Sequence, residues 1–175
     1  MRFPRIPLLA CLVLALSPVS WAAPGAFRLT SPDFTQNSLL PSRFTCEGEN
    51  TSPALGIAGV PAGAKSLLLV VEDTDAPGGV FTHWIVLNIP PGTRDIPAGG
   101  VPAGALQGTN DFGKAGYSGP CPPSGTHHYF FRLTALNTTL DLPAGASARE
   151  VGGAIRGHVL GSASLMARYA KTGSR

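Results

Sequence analysis

Charge is scarce in this chain: Asp, Glu, Lys and Arg together make up 13% of its 175 residues. No basic stripe interleaved with aromatic residues runs through it, so the electrostatic footprint of a nucleic-acid binder is missing. Long apolar runs are missing too. The stretch from Leu8 to Leu16 is soon broken by Pro18 and is shorter than the roughly 20 residues that cross a bilayer as a helix. The chain also has no His-x-x-x-His pair, no Cys-x-x-Cys and no Gly-x-Ser-x-Gly. That withdraws the common helical zinc site, the dithiol motif and the serine nucleophile elbow.

What is present begins with an address. Arg2 and Arg5 precede the apolar stretch, and Ser20-Trp21-Ala22 puts small residues at the two positions a signal peptidase reads. This predicts a secretory signal over 1–22 and a periplasmic or secreted domain over 23–175. Cys11 is not read as a lipid acceptor, because the apolar stretch continues beyond it. Loss of 1–22 removes two basic residues and no acid, so the formal charge falls from +3 to +1. Neither bulk attraction to an anionic membrane nor stable insertion is expected of such a chain after cleavage. About 150 residues remain, enough for one domain with a real core.

Cys46 and Cys121 are the two cysteines left in that domain. In an oxidising compartment an isolated pair is expected to be joined; the alternative is two separate buried thiols acting as small hydrophobes.

The 22 glycines and 17 prolines suit short strands and ordered loops better than a helical bundle. Strand signals fall on Phe27–Thr30, Arg43–Thr45, Ser66–Val71, Trp84–Ile89 and Tyr129–Leu136. Alternation of Ala163, Leu165, Ala167 and Tyr169 with polar or longer neighbours predicts a final strand. One helix is predicted from the capping-box pattern Ser147-Ala148-Arg149-Glu150, with Val151, Ile155 and Val159 on one face. The fold class is therefore mainly β, with one or two short helices near the C-terminus. Two long stretches, 90–104 and 107–126, resist any regular element. The second carries Phe112, Tyr117, Cys121 and a proline pair and is expected to be an ordered wall of a site rather than a linker.

Candidate chemistry sits at strand ends. The apolar run from Ser66 delivers three acids, Glu72, Asp73 and Asp75, onto the lip of a buried sheet. In an extended chain residues i and i+2 point the same way, so Asp73 and Asp75 are expected to share a side, as are His127 and Tyr129, and His83 with Ile85 and Leu87. A plainer reading of an acid before Ala-Pro-Gly is turn chemistry, its side chain bonding backbone N–H groups. As a pocket, His83, His127 and Tyr129 would supply ring and phenol donors, backbone N–H groups near Gly119 would add more, and the acids would orient the imidazoles rather than bind ligand.

The segments DTDAP from Asp73, HWIVLNIP from His83, GTNDFGKAGYSGPCPP from Gly108 and HHYFF from His127, in that order, resemble the phosphatidylethanolamine-binding protein family, which includes the Raf kinase inhibitor proteins, and particularly its bacterial branch. CEGENTSPAL from Cys46 and GHVLGSASLMARYAK from Gly157 resemble it as well, so the likeness covers most of the chain from about Phe27. The resemblance implies two packed antiparallel sheets and a small pocket for anions such as phosphate, acetate or a phosphoethanolamine head group. Carried over by motif, the ligand-binding positions are Asp73, Asp75, Ala76, Pro77, His83, Gly119, Pro120, Pro122, Pro123, His127 and Tyr129. Thr74 stands where the family usually has proline, and His128 where arginine is frequent.

The functional expectation is a binding protein for a small anion or phosphoethanolamine-type ligand, with no metal or other cofactor. An alternative from the resemblance is inhibition of a protein partner of protease or kinase type. A metal- or histidine-dependent hydrolase built on the two histidines and an aspartate is the least favoured reading.

Overall fold

The computed structural model describes residues 25–172; the predicted signal segment 1–22 lies outside them. Nine strands follow in chain order: β1 (Arg28–Thr30), β2 (Ser38–Leu39), β3 (Leu55–Ala58), β4 (Ser66–Asp73), β5 (Phe81–Ile89), β6 (Asp95–Ile96), β7 (Leu106–Gln107), β8 (Thr126–Leu136) and β9 (Val159–Ala170). They form two sheets, β1-β3-β6 and β2-β9-β8-β4-β5-β7. All strand pairings are antiparallel except that of β2 with β9.

The near-continuous apolar run in β4 reflects burial on both faces, where an alternating pattern would leave one face to solvent. Leu67, Leu69 and Val71 of β4 pack with Trp84 and Val86 of β5 and Phe131 and Leu133 of β8 against Leu29, Leu55, Ile57 and Ile96 of the small sheet. On the other face Leu68, Ile85, Leu87 and Leu136 meet Leu140, Ala146 and Val151. Each such large side chain contributes about 1.5–3 kcal/mol through its removal from water. Among the described residues no helix is long and apolar enough to cross a membrane.

The capping box forms: Ser147 Oγ accepts the Glu150 N–H, and the Glu150 carboxylate accepts the Ser147 N–H. The resulting helix α1 (Ala148–Ala154) is shorter than the spacing of Val151, Ile155 and Val159 implied. Gly152 and Gly153 weaken its interior, Gly157 takes φ +79°, and Val159 opens β9 instead. A second correction concerns Arg43–Thr45, which is not a strand. Phe44 N–H bonds the Pro41 carbonyl and Thr45 N–H that of Ser42, giving a single 3-10 turn over Ser42–Phe44 that buries Phe44.

Candidate functional site

Register explains how distant residues meet. Asp73 stands opposite Phe81 on one side and Tyr129 on the other, and directly opposed residues of antiparallel strands share a face. His127, two positions before Tyr129 in β8, projects from that same face. Its Nδ1 lies 2.7 Å from Asp73 Oδ2, and both side chains are buried.

His83 arrives by a different device. In the β4–β5 ladder Val71 pairs with Trp84 and Glu72 with Thr82, so His83 is the extra residue of a β-bulge. A bulge re-aims one side chain and interrupts the period of two. Sequence periodicity grouped His83 with Ile85 and Leu87; the bulge instead turns its ring to the face of Asp73, edge-on to Tyr129 at 5.3 Å and beside Phe81 at 5.3 Å. Ile85 and Leu87 pack on the opposite side of the sheet.

Asp73 and Asp75 do not share a side. The strand ends at Asp73, and alternation ends with it. Asp73 Oδ1 accepts the Asp75 N–H at 2.9 Å, which bends the chain. Asp75 then turns outward, where Oδ2 accepts both the backbone N–H and Nδ1–H of His128, each at 2.7 Å. That hydrogen bonding holds the Asp75 carboxyl below its ordinary range. Turn chemistry and imidazole orientation are thus both present in Asp73, one on each oxygen.

The segment 107–126 is ordered and walls the site. The Ser118 carbonyl accepts Nδ1–H of His83 at 2.6 Å. Asn110, buried and absent from the sequence-level candidates, holds this segment together. Its amide NH2 reaches the Gly116 carbonyl and Ser118 Oγ, and its Oδ1 accepts the N–H groups of Phe112 and Lys114. The only hint in the sequence was a turn-forming Asn-Asp pair before Phe112-Gly113. Gly119 is needed because a Cβ there would sit 2.3 Å from the Phe44 carbonyl oxygen. The Gly119 N–H is already bonded to Asn50 Oδ1 at 2.7 Å, so of the backbone donors expected near Gly119 this one is taken. Pro120 and Pro122 are buried behind the wall, with the Pro120 carbonyl accepting the Cys46 N–H. Cys46 and Cys121 are joined, with Cα atoms 5.4 Å apart.

The result is a cavity of about 200 Å³. Of the expected residues, Asp73, Ala76, Pro77, His83, Pro123 and His127 line it, together with Phe112 and Cys121 from the wall. Phe81 joins them without having been singled out. Asp75, Gly119, Pro120 and Pro122 shape its surroundings but do not line it. Tyr129 lies between the two imidazoles, roughly parallel to His127 at 6.4 Å. Tyr129 does not itself line the cavity; its hydroxyl is buried and, among the described residues, makes no well-formed hydrogen bond, with the Asp73 carboxylate close by. Burial, helped by the nearby Asp73 charge, pushes the phenol's pKa far up, so it stays a neutral donor. Burial also pushes the His83 ring below its ordinary pKa, against the opposing pull of the Ser118 carbonyl and Asp73. Both imidazoles spend Nδ1–H on a fixed acceptor, and a neutral ring then has a bare lone pair at Nε2. Nε2 carries a hydrogen only in the imidazolium.

The family model described as phosphatidylethanolamine-binding protein matches residues 30–170. A UPF0098 protein of Methanothermobacter thermautotrophicus is 54% identical over 141 residues, covering 78% of this chain and 93% of that one. A Mycobacterium tuberculosis relative that carries a lipoprotein name, LppC, is 44% identical over 84% of this chain and 73% of its own length. The crystal structure of a phosphatidylethanolamine-binding protein homologue from Chlamydia trachomatis superposes with a TM-score of 0.79 at 38% identity, over 83% of this chain and 98% of that one.

Proposed function

The chain belongs to the phosphatidylethanolamine-binding protein family, and from that premise we propose that it is an exported binding protein whose imidazole-lined cavity holds a small anion, a phosphate or a phosphoethanolamine head group, without turning it over. The observation that carries this reading is the pair of imidazoles that line one cavity, each with Nδ1–H held by a fixed acceptor, with the Tyr129 hydroxyl buried beside them without a well-formed hydrogen bond. An unsatisfied buried hydroxyl costs about 1–3 kcal/mol, a cost that an incoming oxyanion would remove. The largely apolar wall of Ala76, Pro77, Phe81 and Phe112 lowers the local dielectric and so strengthens each charge-assisted bond. Export is supported by the N-terminal signal pattern, by the disulfide, and by a relative with a lipoprotein name.

The tautomers set the sign of the pH dependence. With Nδ1–H given to a fixed acceptor, a neutral ring faces an anion with a lone pair, and only a protonated ring offers the Nε2 hydrogen that an oxyanion accepts. His83, its pKa lowered by burial, contributes at the acid end. Phosphate affinity, measured by calorimetry, should therefore rise as pH falls below about 6.5, the ordinary histidine value, because burial moves the His83 change to the acid side of it, and phosphate should raise the apparent pKa of His83 in an NMR titration. Saturating phosphate or phosphoethanolamine that moves neither ring overturns the proposal.

Tyr129→Phe separates ligand binding from stability. Removing the orphaned hydroxyl should stabilise the free protein by about 1 kcal/mol, raising the thermal midpoint by a few degrees, and should weaken phosphate binding about tenfold. A variant that is less stable and binds phosphate as tightly as the parent shows that the hydroxyl has a structural partner and no ligand.

A further inference from the structure

A second cavity, of about 310 Å³, lies on the other side of the loop that walls the first. Gly116 and Tyr117 line it, and the next residue, Ser118, holds His83. Its volume falls within the range of about 300–1,000 Å³ common for small-molecule sites, whereas the imidazole cavity falls below it. Its chemistry is also different. No lysine, arginine or histidine lines it; its one charged lining group is Glu49.

Two side-chain amides there are oriented by their own oxygens. Gln107 Oε1 accepts the indole N–H of Trp84 at 2.8 Å, and Asn50 Oδ1 accepts the Gly119 N–H. Each therefore has its NH2 end to offer, and among the described residues neither NH2 is bonded to a protein acceptor. Thr51 adds a hydroxyl, and behind these groups lie Trp84, only 1% exposed, and Tyr117, edge to face at 5.6 Å. The set thus offers fixed neutral donors, one carboxylate acceptor and no cation. An anion finds repulsion from Glu49 and no counter-charge. A ligand rich in hydroxyls can accept from the two NH2 groups and donate to the carboxylate with the same kind of group.

We propose that this second cavity, formed by Glu49, Asn50, Thr51, Trp84, Gln107 and Tyr117, is a binding site for a neutral polyhydroxyl ligand of saccharide type, separate from the imidazole cavity. The test is an NMR titration of the full chain with N-acetylglucosamine, reading the Trp84 indole N–H and the Gln107 side-chain NH2, with phosphate and tetramethylammonium as counter-probes. The expected result is saturable shifts of both signals in the millimolar range with the sugar, and none with either ion. Gln107→Glu keeps the acceptor for Trp84 and replaces the NH2 donor by carboxylate oxygen. It should weaken sugar binding about tenfold and leave phosphate binding at the imidazole cavity unchanged. Asn50→Asp makes the same exchange while keeping the acceptor for Gly119, and should weaken the sugar comparably. The proposal is overturned by an absence of saturable shifts with the sugar, by shifts that follow tetramethylammonium instead, or by sugar affinity that survives both substitutions.

Discussion

Replacing Cys46 and Cys121 together by serine is expected to remove about 4 kcal/mol of stability. The bridge spans 75 residues of sequence, and a cross-link that closes so long a loop restricts the unfolded ensemble strongly. Against a total stability of about 5–15 kcal/mol, the loss is a large fraction. The urea midpoint should fall and the slope of the transition should steepen, because the unfolded chain without the bridge exposes more surface. Local effects should accompany the global one. The same two loops are joined by Cys46 N–H to the Pro120 carbonyl, Gly119 N–H to Asn50 Oδ1 and Tyr117 hydroxyl to the Phe44 carbonyl. These bonds hold the wall near its place when the sulfur bridge is gone, so the folded double variant should still bind phosphate, severalfold more weakly. A midpoint shift worth under about 1 kcal/mol would contradict the loop-closure account.

The second large effect is expected at Asp73. Its two oxygens hold His127 Nδ1–H and the Asp75 N–H, and its side chain is 6% exposed. Asp73→Ala strands both donors in a dry site and should cost about 3 kcal/mol, read as a lower denaturation midpoint. Asp73→Asn is the more informative change. The amide keeps an acceptor for the turn and presents NH2 to His127 Nδ1, which must then accept. The neutral ring is forced into the other tautomer, with its hydrogen on Nε2. Phosphate binding by this variant should be weaker at low pH, because the carboxylate that supports the imidazolium is gone. It should also depend less on pH, because His127 now donates in its neutral form. A parent-like pH profile in Asp73→Asn would show that His127 does not face the anion.

Where structure is encoded locally, the amino-acid order was enough to find it. The Ser66–Val71 run, the alternation into Tyr169 and the Ser147–Glu150 capping box each act through side-chain periodicity or a local hydrogen bond, and each forms where expected. The strand reading of Arg43–Thr45 failed because one buried aromatic, Phe44, is compatible with a 3-10 turn when Pro41 precedes it and no neighbouring strand pairs with it. Asn110 was harder still. Neither its place in the chain nor the composition around it distinguishes a surface amide from the buried organiser of the 107–126 wall, since the partners of its NH2, the His83 and Gly116 carbonyls and Ser118 Oγ, become neighbours only once that loop has folded back on itself.

The mainly β class, the segments that converge on one rim and the pairing available to two cysteines could all be read from the chain alone, because they follow from local periodicity and from which residue types are present. Three features needed the folded molecule: Asp73 turns inward while Asp75 turns out to His128, a bulge carries His83 to the face of Tyr129, and the Gly119 N–H is already taken. They share one cause. Side-chain direction can be counted along a chain while the backbone stays regular, and this site is built where β4 ends, where β5 bulges and where a loop takes its hydrogen bonds from residues far away in sequence.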